Sequence, residues 1–373
     1  MAWLTATYHV ASEPEKIEAR AVALALEQSV ECPLDAIGDP RVLDEIVARV
    51  AGITELAKGR YRVDLQLAVQ TTGGEPAQTL NMLFGNVSLM NNVQLAGFDF
   101  PAELLAKFSG PRHGIAGIRE MLGAPSRALT SVALKPQGLH VPELTAMCRT
   151  FAEAGVDIIK DDHGIANQAY SPFVERVRAC QNATLEVVAA TGKPVFYAPN
   201  LSATPRLMRE QARFARDLGI RVVLVAPMLV GLPAFADLVE EFPDFVYLSH
   251  PSFAGASRIA PAQLFGRLFR MLGADASIFV NYGGRFSYPR EDCAAIAEAL
   301  RAPWGELRPA LAVPAGGMLL ERVDELLAFY GTDTMLLIGG NLLIARERLL
   351  ERARDFVRRV ENFGRAAAAT AGD

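Results

Sequence analysis

VDIIKDDHGIANQ, Val156 to Gln168, opens as a short β-branched apolar run and then changes character without a break. Lys160, Asp161, Asp162 and His163 follow the strand-like residues directly. Apolar side chains drive a strand into a core, and charged ones belong there only when paired or metal-bound. Four ionisable groups at a strand's carboxyl end are costly to assemble unless chemistry or metal binding offsets the cost. A solvated strand end with a structural Lys–Asp pair explains the peptide equally well on its own. What surrounds it decides.

On either side, apolar strands recur at TSVALKP (from Thr130), PVFYAPN (from Pro194), RVVLVAP (from Arg221), FVYLSHP (from Phe245), SIFVNYGG (from Ser277), PALAVPAGG (from Pro309) and DTMLLIGG (from Asp333). Amphipathic segments lie between them, among them VPELTAMCRTFAEAG, PRLMREQARFARDL and ERVDELLAFYG. Eight strand–helix units in regular alternation from Leu129 onward predict a parallel (β/α)8 barrel of the TIM type, with its site at the strands' carboxyl ends. A doubly wound open sheet is the rival fold, and the count of eight disfavours it. Upstream, residues 3–10 read as a strand, and EPEKIEARAVALALEQ places Ile17, Ala21 and Leu24 on one helical stripe. GRYRVDLQLAVQ alternates Tyr61, Val63, Leu65, Leu67 and Val69 as a half-buried antiparallel strand. The expectation is an α+β, ferredoxin-like domain over residues 1–110, a barrel over 111–365 and a disordered small-residue tail over 366–373.

The 373 residues exceed one ordinary core, which agrees with this division. At 51% hydrophobic and 21% charged the chain reads as soluble and globular, and a net charge of −5 offers no footprint for nucleic acid or an anionic membrane. The four cysteines form no CxxC, so neither a zinc knuckle nor a disulfide framework is suggested. No signal peptide or 18-residue apolar span is evident, and a cytoplasmic protein is expected.

Barrel geometry turns scattered residues into a constellation. Lys135 ends strand one, Lys160 to His163 end strand two, Asn200 ends strand three and His250 ends strand five. Asn281 to Arg285 follow strand six, and Gly316–Gly317 and Gly339–Gly340 close strands seven and eight. Parallel strands point all of these at one mouth. Glycine pairs after the last two strands suit a phosphate cradled by backbone N–H groups, and Arg285 adds a donor fork for an anion. Singly, each has a bland explanation: a snorkelling lysine, a capping histidine, a tight turn.

The stretches SVALKPQGL, GVDIIKDDHGIANQ, GGRF, PAGGM and LLIGGN resemble the large subunit of ribulose bisphosphate carboxylase, and more closely its form IV, RuBisCO-like relatives. The resemblance runs from about Ala23 through Asn341. It implies an N-terminal α+β domain before the barrel and a homodimer with shared active sites. It implies that Lys160 is carbamylated by CO2 and that the carbamate, with Asp162 and His163, holds Mg2+, with imidazole standing where the family has a second carboxylate. Because imidazole shifts preference away from hard oxygen-loving ions, Mn2+ or another divalent ion is the alternative. It further implies proton handling by Lys135, an active-site role for His250, and Asn86 and Glu27 as groups contributed to the partner subunit's site.

Departures from the pattern are as informative. Gln137, Ala133 and Ala315 replace family polar groups, Ile278 an active-site histidine, Pro251 a phosphate-binding arginine, and Arg285 the mobile-loop lysine. Losing so many polar contacts selects against the original substrate, so ribulose-1,5-bisphosphate carboxylation is expected to be absent. What survives can form and hold an enolate or enediolate from a phosphorylated keto-sugar or sugar acid, by enolisation, isomerisation or decarboxylation. The contrasting expectation is a non-catalytic small-molecule binder or regulator on the same barrel.

Overall fold

The computed structural model describes residues 2–286 and 288–370, with the backbone alone for 366–370. The chain divides into two compact units, Met1–Ser109 with Ala254–Leu264, and Gly110–Phe253 with Phe265–Asp373.

In the first unit β1 (Trp3–Ala11), β2 (Arg49–Ala57), β3 (Arg60–Ala68) and β4 (Val93–Asp99) form one antiparallel sheet in the order β2-β3-β1-β4. Strand alternation places Leu4, Ala6, Tyr8 and Val10 of β1 and Tyr61, Val63, Leu65 and Leu67 of β3 on a buried face. The helix Ile17–Glu27 buries Ile17, Ala21, Leu24 and Ala25, the stripe its sequence prescribes. Strand β2 escapes a sequence reading because it is an edge strand with no fully buried residue. The segment Ala254–Leu264 joins this unit, whereas the sequence boundary assigned it to the barrel. Its backbone serves the open edge of β4: Leu95 N donates to Arg258 O (3.0 Å) and Ala260 N donates to Leu95 O (2.9 Å).

The second unit contains β5 (Leu129–Leu134), β6 (Ile158–Asp161), β7 (Phe196–Ala198), β8 (Val222–Val225), β9 (Val246–Ser249), β10 (Ala276–Val280), β11 (Leu311–Ala315) and β12 (Met335–Leu337). All pair in parallel, in two four-stranded runs, β12-β5-β6-β7 and β8-β9-β10-β11. Parallel bridges Asn200–Leu224 and Ala312–Thr334 join the runs end to end and close the barrel. One interior cluster takes a residue from every strand, among them Leu129, Ile158, Ala198, Leu224, Leu248, Ile278, Val313 and Leu337. In-facing positions alternate, so two residues beyond the strand-end members the mouth receives Asn200, Ala226, His250, Val280, Ala315 and Gly339. The final helix, Leu349–Thr370, runs through much of the tail expected to be disordered; 371–373 lie outside the described residues.

Candidate functional site

Register fixes the centre of the mouth. Lys160 lies between Ala133 of β5 and Ala198 of β7, both buried, so two methyl groups flank the long amine-bearing side chain. Lys160 is 2% exposed and its Nζ donates to Asp161 O at 3.0 Å. Burial, with Lys135 adding like charge, pulls its ammonium down to about 8 despite the opposing pull of Asp162 and Asp161. A lysine so placed holds far more neutral amine near pH 7 than one in water.

Lys135, one step beyond β5, reaches across so that its Nζ stands 2.6 Å from Asp162 Oδ1. A Cβ on Gly339 would lie 3.6 Å from Lys135 Cε, so the glycine after β12 lets the lysine stem run close to the backbone. Asp162 also has His163 Nδ1 3.3 Å from Oδ1. Burial opposes its ionisation, yet contact with His163 and the charges of Lys160 and Lys135 hold the carboxyl well below the usual range. The His163 ring stacks on His250 at 4.2 Å between centroids. His250 Nδ1 accepts from Ser252 N at 3.2 Å and lies 2.9 Å from Ser252 Oγ. That leaves the ring proton on Nε2. Burial, then the charges of Lys160 and His163, hold His250 well below its ordinary value, so the ring is neutral.

The quartet of the opening stretch thus splits. Lys160, Asp162 and His163 face the mouth, whereas Asp161 faces outward into a buried scaffold. Asp161 accepts from Arg176 Nε (3.1 Å), Tyr197 Oη (2.7 Å) and Asn200 N (3.1 Å). Arg176 donates onward to Ser171 O and Ala166 O, both at 2.7 Å, pinning the turn after β6. The sequence gives no sign of this pairing: Arg176 reads there as one more charged helix residue.

The other expected residues are placed unevenly. Gly316 and Gly317 have φ of +86° and +81°. A Cβ on Gly317 would come within 2.5 Å of Arg285 N, so close packing on the neighbouring loop already demands glycine there. Gly340 has open space around it. Arg285 is exposed and lies over the ring of Phe286, 4.7 Å from its centroid. Asn281, buried, accepts from Tyr330 Oη at 2.6 Å and holds the loop rather than the mouth. In the first unit, exposed Asn86 donates to Glu27 Oε1 (3.0 Å) and Glu31 Oε1 (2.9 Å).

Among the described residues no three His, Cys, Asp or Glu side chains converge as a ready-made metal cage. Asp162 and His163 supply two donors side by side, with His163 Nδ1 3.3 Å from Asp162 Oδ1. Lys160 completes a set of three only when its amine is converted to an anionic carbamate, for which its neutral form is required. With that modification the residues fit a divalent ion.

Comparison with known proteins follows the same line. Residues 114–343 match the family model of the ribulose bisphosphate carboxylase large chain, catalytic domain. The 5-methylthioribulose-1-phosphate isomerase of Rhodospirillum rubrum is 52% identical over 95% of this chain and 95% of its own length. The 2,3-diketo-5-methylthiopentyl-1-phosphate enolase of Geobacillus thermodenitrificans is 31% identical, over 92% of this chain and 88% of its own. The crystal structure of a Rubisco-like protein from Rhodopseudomonas palustris superposes with a TM-score of 0.92 at 51% identity, covering 98% of this chain and 99% of that one.

Proposed function

This chain belongs to the ribulose bisphosphate carboxylase large-chain family, in its RuBisCO-like branch, and from that premise we propose that it isomerises a phosphorylated keto-sugar through an enolate, without carboxylating ribulose 1,5-bisphosphate. The observation that carries the reading is Lys135 Nζ at 2.6 Å from Asp162, beside a buried Lys160 whose amine is held down to about 8. Identity to the Rhodospirillum rubrum isomerase favours isomerisation over decarboxylation and a 5-methylthio-ketose monophosphate as substrate.

Lys135, once its ammonium has given up a proton, takes the proton from the carbon beside the carbonyl, and Asp162 positions the side chain for it. As an ammonium, Lys135 returns that proton to the former carbonyl carbon, while the proton of the adjacent hydroxyl passes to the former carbonyl oxygen, so that one C–H and one O–H change places and the 1,2-shift is complete. Neutral His250, with its proton on Nε2, is a donor suited to the developing oxyanion. Gly339 and Gly340, with Gly316 and Gly317, offer backbone N–H groups to a single phosphate, and Arg285 is a candidate second contact. Carbamylated Lys160, Asp162 and His163 would hold Mg2+, or Mn2+, and the bound ion would supply positive charge that lowers the cost of the enolate. The same reading carries a homodimer in which Asn86 and Glu27 complete the partner's site, and a cytoplasmic setting. No helix among the described residues is long and apolar enough to cross a membrane.

The test is incubation with 5-methylthioribulose 1-phosphate in D2O with Mg2+ and bicarbonate, followed by NMR. A new ketose carrying deuterium at the migrating position is expected, and labelled CO2 with ribulose 1,5-bisphosphate should leave no fixed product. Inertness toward this ketose, together with CO2 release from a branched sugar-acid phosphate, would replace isomerisation by decarboxylation.

A further inference from the structure

Asn200 has no part in the chemistry described above, yet its side chain is fully buried at the rim where the catalytic strands end. Its backbone is held on both sides. Asn200 N donates to Asp161 Oδ2 (3.1 Å), Leu201 N to Leu224 O (2.8 Å), and Leu224 N to Pro199 O (2.9 Å). Alternation along β7 puts it on the in-facing side, two residues after the interior Ala198.

The side-chain amide is oriented by its own hydrogen bonds. Nδ2 donates to His163 O at 2.9 Å and to Ile165 O at 3.0 Å. A flipped amide would set its oxygen against two carbonyls, so the assignment of nitrogen and oxygen is fixed by the network. Both N–H groups are therefore spent on the turn that carries Asp162 and His163. The amide oxygen, at the other corner of the same planar group, is buried and receives no hydrogen bond from the described residues. Buried side-chain acceptors are nearly always paired, so one left over beside charged groups points to a donor that is not part of the protein.

We propose that Asn200 is a positioning residue with two faces: its Nδ2 fixes the Asp162–His163 turn, and its Oδ1 accepts a hydrogen bond from an O–H group held at the mouth. The inference rests on the reading of the mouth as a site for a divalent ion and a ketose monophosphate. The O–H donor is either a water on the ion or a hydroxyl of the sugar, and the two sources separate experimentally.

Three variants decide it: Asn200→Leu removes both faces at similar size, Asn200→Ala removes them with less steric demand, and Asn200→Asp keeps the oxygen while losing the clamp. Each is measured for Mn2+ affinity in bicarbonate by electron paramagnetic resonance, and for kcat and KM with 5-methylthioribulose 1-phosphate. If a metal-bound water is the donor, Asn200→Leu weakens Mn2+ binding by roughly 10- to 100-fold, the usual effect of losing a partner behind a metal's ligands. If a sugar hydroxyl is the donor, Mn2+ affinity holds while kcat/KM falls by a similar factor, chiefly through KM. In either arm Asn200→Asp recovers part of the loss, which a merely structural asparagine would not show. Should Asn200→Leu fail to fold, Asn200→Ala takes its place. Folded Leu or Ala variants equal to the wild type in both arms overturn the proposal, as does an Asp variant no better than either. A wild type that binds Mn2+ but leaves the ketose unchanged removes the functional reading alone, and the metal arm still judges Asn200. A wild type silent in both arms sinks both.

Discussion

The two halves of the barrel wall have the same construction and opposite endings. Strands β12, β5, β6 and β7 finish in Gly339, Lys135, Lys160–His163 and Asn200, whereas β8, β9, β10 and β11 finish in Ala226, His250, Val280 and Ala315. Behind the first half lies a buried network of Asp161, Arg176, Tyr197 and Asn200; behind the second, Ser249 Oγ donates to Ser277 Oγ at 3.0 Å, Tyr330 Oη donates to Asn281 Oδ1 at 2.6 Å, and buried Asp275 accepts from the backbone of His113, Gly114 and Tyr247. Exposed Leu229, Phe253, Phe286 and Leu319 follow strands of the second half, and exposed Ile344 follows β12 of the first. The first half thus brings the two amines and the acid of the mouth, Lys135, Lys160 and Asp162, and the second brings an imidazole, His250, and the exposed guanidinium of Arg285.

The sharpest way to break this contrast is at Lys135, on the first half. Lys135→Met should lower the rate of deuterium exchange into the ketose by about 10²–10⁴-fold, the usual contribution of a positioned acid–base group. Retention of wild-type exchange would mean that the proton is handled elsewhere. Next in size is the scaffold. Arg176 and Asp161 are both fully buried, so Arg176→Met leaves an unpaired carboxylate and should cost about 3–5 kcal/mol in denaturant unfolding. A loss under 1 kcal/mol would show that the turn after β6 holds itself.

Lys160 should behave in the opposite sense. In bicarbonate-free buffer its folded value of about 8 lies below the unfolded 10.5, so between those values the unfolded chain binds a proton that the folded chain does not. Its destabilising effect is full below pH 8 and fades as the pH rises to 10.5. Lys160→Met should therefore be more stable than wild type at pH 7 by on the order of 1–3 kcal/mol, with the gap narrowing by pH 10, while activity is lost. Thermal unfolding at the two pH values checks it, and a gap that widens with pH contradicts the assignment. The smallest effect belongs to the hydroxyl pair of the second half: Ser277→Ala should cost no more than about 1 kcal/mol and leave ketose turnover within a factor of two or three. A larger change there would erase the distinction between the halves.

Much of this was legible without coordinates, and for a definite reason. All eight barrel strands and the three quoted crossover helices lie where the apolar runs and helical stripes place them, because burial on both faces forces continuous hydrophobicity. Strand β2 was missed because an edge strand with no fully buried residue leaves no such trace. Segment 254–264 was assigned to the barrel because main-chain hydrogen bonds to β4 are indifferent to side-chain identity.

The sequence by itself determined the barrel, the order in which chemistry arrives at its mouth, and the family, since periodicity and motif spacing are local properties of the chain. Only the tertiary structure decided that Asp161 is held in a buried network with Arg176 and Tyr197, that Lys135 reaches Asp162, that two imidazole rings stack, and that Gly317 is already required by a neighbouring loop. Those outcomes depend on which strand lies beside which and on the parity of each residue across a closed sheet, and no linear pattern encodes a neighbour dozens of residues away.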